Sequence, residues 1–160
     1  MHAGKLILAL ERLLEQHLDL YQTALDKTEH LKHNQTEELK KVLQQEQLLV
    51  QAIKQTEAER ITEASLFLGR HTDLTLRACA EKAEGTDKER LTGLKDDFTE
   101  VLDKLKAANQ LNQQMTQQAL QFVTMSLDML LPREQTPNYQ RPDAMKKTEP
   151  NRRSLFDSKA

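Results

Sequence analysis

The chain has no tryptophan, four glycines, four prolines and one cysteine in 160 residues. Each scarcity excludes something. A β-sandwich or barrel needs many turn residues, and so few Gly and Pro do not provide them. Aromatic residues make up 4% and hydrophobic residues 38%, so a large globular core lacks the bulky side chains to fill it. The lone Cys79 rules out an internal disulfide and fits a reducing cytoplasm. No apolar run reaches the ~18 residues of a membrane span. Met1 to Lys5 passes straight into an amphipathic pattern that already holds Glu11, unlike a secretory signal. An excess of one charge is also missing. The net charge of -2 and the pI of 6.2 give no push toward nucleic acid. These absences describe a soluble cytoplasmic protein with no nucleic-acid partner and no membrane insertion.

What is present is helix-forming chain. Ala, Glu, Lys, Leu and Arg make up about half of it, the signature of long helices or coiled coil. All four prolines, Pro132, Pro137, Pro142 and Pro150, lie in the last 29 residues. A proline inside a helix costs about 3 kcal/mol, so residues 1–131 are free to form very long helices and Pro132 ends the last one. The chain therefore divides into a helical domain, 1–131, and a tail, 132–160. The tail is polar and aperiodic, which predicts flexibility when unbound.

Apolar spacing places the helices. Leu6, Leu10, Leu13, His17, Leu20, Ala24, Thr28 and Leu31 alternate in steps of three and four, the seam of a coiled coil or bundle. Leu14, Leu18 and Leu25 widen that stripe toward a second neighbour. A break is predicted near His33-Asn34, with Asn34 and Glu37 as a capping box. A second seam runs Leu39, Val42, Glu46, Leu49, Ile53, Thr56, Arg60, Ala64, Phe67, weakened by Glu46 and Arg60, and Gly69 stops it. A short helix from Asp73 to Lys82, capped by Thr72, and a turn at Gly85-Thr86-Asp87 follow. From Asp87 a third seam runs Leu91, Leu94, Phe98, Val101, Leu105, Ala108, Asn112, Met115, Ala119, Phe122, Ser126, Met129. It spans about 45 residues, or roughly 65 Å. The short first connection predicts an antiparallel hairpin of the first two helices. The fold class is thus all-α: a helical hairpin plus a long C-terminal helix in a coiled-coil-like bundle of three or four helices. The last helix outruns the hairpin, so part of its apolar stripe is left without shelter.

Enzyme signatures are missing: no Gly-rich phosphate loop, no G-x-S-x-G, no cysteine pair. A di-iron bundle needs Glu three residues before His on two helices. Leu14, Lys27, His30 and Leu68 stand there instead, before His17, His30, His33 and His71. His30 and His33 share a helix face but read as a polar terminus near carbonyl dipoles. His17 reads as a polar residue tolerated in the core, and Cys79 as a small half-buried one. No catalytic residue, metal or cofactor is expected.

The end of the last helix is more informative. Residues 109–131 carry a single charge, Asp128, and three of the five methionines: Met115, Met125 and Met129. Unbranched thioethers adapt to variable partners, and an amphipathic stripe of this kind suits helix-in-groove docking. The candidate docking residues are Leu111, Met115, Ala119, Phe122, Val123, Ser126, Met129 and Leu130. Up to about residue 108, packing within the chain's own bundle is the better reading. In the tail, Tyr139 and the pair Leu155-Phe156 are isolated apolar anchors suited to a partner that folds the tail onto itself.

Three stretches resemble the FlgN-like flagellar export chaperones of Gram-positive bacteria. They are the first helix (Leu10-Glu11-Arg12-Leu13-Leu14 through Leu18 and Leu20-Tyr21), the last helix (Leu111-Asn112-Gln113-Gln114-Met115 to Leu127-Asp128-Met129-Leu130), and the tail. There Tyr139 precedes a chain end Ser154-Leu155-Phe156-Asp157-Ser158-Lys159-Ala160, similar to the family's terminal Leu-Phe-Asp-x-Lys/Arg-Ala. Gln140-Arg141-Pro142-Asp143 follows Tyr139 where the family often has a glycine-bearing turn. The resemblance implies a cytoplasmic type III export chaperone with no chemistry of its own. Its implied clients are the hook-filament junction proteins FlgK and FlgL, held by their C-terminal helices, and its implied docking partner is the export-gate component FlhA. The alternative is a structural coiled coil that forms a homodimer through the same stripe.

Overall fold

The computed structural model describes residues 3–131. They form four helices: α1 (Gly4–Lys32), α2 (Thr36–Leu68), α3 (Leu76–Lys82) and α4 (Gly85–Leu130), with no strand among the described residues. The all-α class and the helix lengths follow the proline-free periodicity, with α4 at 46 residues. The chain divides into two units, Met1–Gln118 and Ala119–Ala160, the boundary falling inside α4.

Ion pairs fix the directions of the helices in the first unit. Arg12 meets Glu59 at 3.0 Å and Lys27 meets Glu46 at 2.5 Å, so α1 and α2 are antiparallel. α4 runs the other way to α2. Asp87 accepts a hydrogen bond from the Ala3 backbone N–H at 3.1 Å, Arg90 pairs with Glu11, and Thr28 meets Asn112. α1 and α4 are therefore parallel, and α3 lies in the return from α2. The Asp87 carboxylate also places a negative charge at the N-terminus of α1, which has no acid in its own first turn.

The core follows the seams. Leu6, Leu10 and Leu13 of α1, Ala64 and Phe67 of α2, and Leu91, Leu94, Phe98 and Val101 of α4 pack in one cluster. α3 joins that cluster with Cys79 and Ala80. Leu6, Ile7, Leu10 and Leu91 are fully buried, each contributing about 1.5–3 kcal/mol of transfer free energy. A smaller cluster of Ala24, Leu105 and Ala108 continues it. Beyond that, the α1–α4 contact turns polar. Asn112, 4% exposed, donates to the Ala24 carbonyl at 2.9 Å, and its Oδ1 accepts from the Thr28 hydroxyl at 2.5 Å. That hydroxyl also lies 3.0 Å from the Ala24 carbonyl.

Several local expectations need correction. Asn34 does not cap α2. It adopts φ 53°, the left-handed conformation an asparagine tolerates, and Gln35 is the N-cap. The short helix starts at Leu76, not Asp73. Asp73 is itself left-handed at φ 51°, and Thr75, not Thr72, caps α3 by accepting from the Ala78 N–H at 3.1 Å. Gly69 ends α2 at φ 68° as expected. Leu18 and Leu25 do not widen the core stripe: both are exposed. Cys79 is fully buried rather than half-buried, and desolvation pushes its thiol pKa up.

Of the two charged residues on the α2 seam, Glu46 pairs with Lys27 of α1 and Arg60 serves the α2–α3 connection. Arg60 makes a bidentate contact with Glu57 at 2.8 and 2.7 Å and donates to the Leu74 carbonyl at 2.7 Å, which ties down the α2–α3 connection. The Glu57 hydrogen bond raises the Arg60 pKa. Lys82 donates to the Phe67 carbonyl at 2.8 Å, closing the C-terminal end of α2, and lies 5.5 Å from the Phe67 ring centroid.

Candidate functional site

The seam of α4 changes character along its length. Seven successive seam positions, Leu91 to Asn112, are buried. Met115, the next, is half-buried. By the α1–α4 register, in which Ala3 meets Asp87 and Thr28 meets Asn112 at a constant separation of 84 residues, the last residue of α1 is level with Thr116. α4 is helical to Leu130.

Within the second unit, residues 119–131 carry their apolar side chains into solvent. Phe122 is 72% exposed, Met129 83% and Leu130 79%; Val123 and Ala119 are also exposed, and Ser126 is half-buried. Leu111, in the first unit, is 45% exposed. A protein surface rarely leaves a large contiguous apolar patch without a use for it. Tyr139, Leu155 and Phe156 lie outside the described residues.

Four further residues belong to the same surface: Leu120, Met125, Leu127 and Leu131, each about half exposed or more. The signal for Leu120 and Leu127 was a second three-four spacing, Leu120-Val123-Leu127-Leu130, offset by one residue from the seam through Ala119 and Phe122. Polar groups here make few demands on a partner. The Thr116 and Thr124 hydroxyls donate to carbonyls of their own helix, Asn112 at 2.8 Å and Leu120 at 2.9 Å. The surface is suited to adhesion.

The first unit has shallower features. One groove, of about 430 Å³, is lined by Leu13, His17, Ile53, Arg60, Leu76 and Phe98. His17 at its wall is half-buried, with Nδ1 2.7 Å from the Leu13 carbonyl and its ring edge-on to Phe98 at 5.7 Å. Another, of about 550 Å³, lies where Leu31, Leu39 and Leu43 face Asn109, Asn112 and Thr116. His30 and His33 do not converge. His30 contacts Gln35 Oε1 at 2.7 Å and His33 faces Glu29 at 3.6 Å. No group of three or more His, Cys, Asp or Glu able to hold a metal ion occurs among the described residues, and no described helix is long and apolar enough to cross a membrane.

Comparison with known proteins identifies relatives of this chain. Residues 1–147 match the family described as FlgN protein. An uncharacterized protein of Bacillus subtilis (strain 168), YvyG, is 41% identical over 160 residues, covering the whole of both chains. No solved structure matches the chain.

Proposed function

The chain belongs to the FlgN family of flagellar export chaperones, and on that premise we propose that the exposed end of α4 holds the C-terminal amphipathic helix of the hook-filament junction proteins FlgK and FlgL before their export. The single observation behind this reading is the band of large apolar side chains, Phe122, Met129 and Leu130 among them, that the final helix leaves in solvent. A client helix that would otherwise self-associate needs such a band as a temporary partner. Burying ~600 Å² of apolar area yields about 15 kcal/mol gross, most of it offset by ordering and association costs. Micromolar to nanomolar binding is within that range without catalysis or cofactor. Delivery then passes through the tail, where Tyr139, Leu155 and Phe156 are the anchors we assign to the export gate, FlhA. The work takes place in the cytoplasm.

Calorimetry with full-length FlgL tests the proposal. Phe122→Asp is expected to weaken binding at least tenfold while leaving the melting curve of the protein unchanged. Equal affinities for variant and wild type would overturn it. The same exposed band also suits a homodimer. Sedimentation equilibrium separates the two readings: a tight dimer at micromolar concentration that ignores FlgL supports the second.

A further inference from the structure

An ordinary surface helix presents an apolar stripe somewhat over 100° wide, the width that one neighbour covers. Residues 119–131 depart from this. At about 100° per residue, Leu120, Val123, Leu127 and Leu130 form one half of an apolar arc and Phe122, Met125 and Met129 form the other. Ala119 and Ser126 lie between the halves, small enough to let a neighbouring backbone approach. The arc spans roughly 240°, about two thirds of the circumference. The remaining wedge holds Gln121, Thr124 and Asp128, the last being the one charge of the segment. Every large residue of both halves is exposed.

One helix cannot cover such an arc. We propose that this segment is the middle member of a three-helix assembly whose other two members are both helices of one client molecule. The inference rests on the client-holding reading and adds to it the number of client segments. A second copy of this chain is a poorer occupant for either half. Each half offers three or four side chains on a rod about 18 Å long, well short of the ~800 Å² per partner that a stable dimer buries. Charge supports an uncharged occupant: no Lys, Arg or Glu stands between residues 107 and 131, and Asp128 lies in the wedge outside the arc.

Two variants address the halves separately, Met125→Asp and Leu127→Asp, both at exposed positions. Their circular dichroism melts are expected to match the wild type. Each is titrated calorimetrically with full-length FlgL and with a synthetic peptide of its C-terminal helix alone. The full-length client is expected to lose at least tenfold in affinity for both variants. The single peptide is expected to lose at least tenfold for one and less than threefold for the other. Parallel losses with peptide and client would overturn the proposal, because one helix would then straddle the arc. Indifference of the full-length client to either variant would overturn it too. So would a wild-type dimer that either variant converts to monomer, since that half would belong to a second copy. If the wild type binds neither ligand, the client-holding reading itself fails, a result distinct from all of these.

Discussion

The buried contact between Thr28 and Asn112 makes a quantitative prediction about what holds α4 against α1. Thr28→Val is nearly isosteric and removes the hydroxyl. Asn112 Oδ1, in a side chain only 4% exposed, then loses its donor 2.5 Å away. Leaving a buried acceptor unsatisfied costs about 1–3 kcal/mol. Asn112→Leu acts differently. The Thr28 hydroxyl still has the Ala24 carbonyl at 3.0 Å, so nothing is orphaned, and an apolar side chain of similar size takes the place of the amide. That change is expected to fall within about 1 kcal/mol of neutral. In the double variant, loss of the hydroxyl strands no partner. The two effects should therefore fail to add, with a coupling of about 1–2 kcal/mol that favours the double variant. Urea denaturation of the four proteins, followed by far-ultraviolet circular dichroism, measures it. Additivity within ~0.5 kcal/mol would refute the assignment of Asn112 as the acceptor that depends on Thr28.

Other outcomes follow from single sites. Phe98→Asp buries a charge in the main core and should destabilise by about 3 kcal/mol or more, whereas Phe122→Asp should leave stability within ~0.5 kcal/mol yet weaken client binding; paired melts and titrations showing the reverse order would overturn both placements. Thr75→Ala removes the hydroxyl that caps α3 and should cost about 1 kcal/mol in a urea melt. Cys79 should react with a thiol reagent only after unfolding, as followed by native and denatured labelling rates. Burial raises its pKa above the ordinary value of 9.0, so as pH rises past about 9 the unfolded chain releases this proton first. Stability should thus hold below that pH and fall above it, and Cys79→Ala should flatten the decline in melts taken from pH 7 to 10.

The long helices were legible because proline is absent up to Pro132 and because leucine recurs every three or four residues from Leu6 and again from Leu91. Gly69 marked its stop plainly, since a left-handed C-terminal residue is glycine's own conformation. Short-range punctuation was less legible. Asn34 suits both an N-cap and a left-handed turn, and only the geometry of the hairpin selects the second. Thr72, Asp73 and Thr75 are all competent caps, and the choice depends on where Arg60 pins the connection at Leu74. The pairing of Asn112 with Thr28 needs α1 and α4 to be parallel, which spacing alone does not specify. On the candidate surface, Phe122 and Met129 were found by following one seam. That same choice of seam concealed Leu120 and Leu127, because a stripe read in a single heptad register hides a second one beside it.

The parallel lie of α1 and α4 also bears on the order of assembly. Partners 84 residues apart close a far larger loop than the hairpin, whose two arms meet across three residues, His33 to Gln35. Local contacts form first and distant ones later. During synthesis the hairpin is therefore complete while the ribosome still holds the last half of the chain, and its apolar groove waits for the final rod to emerge and zip down from Asp87.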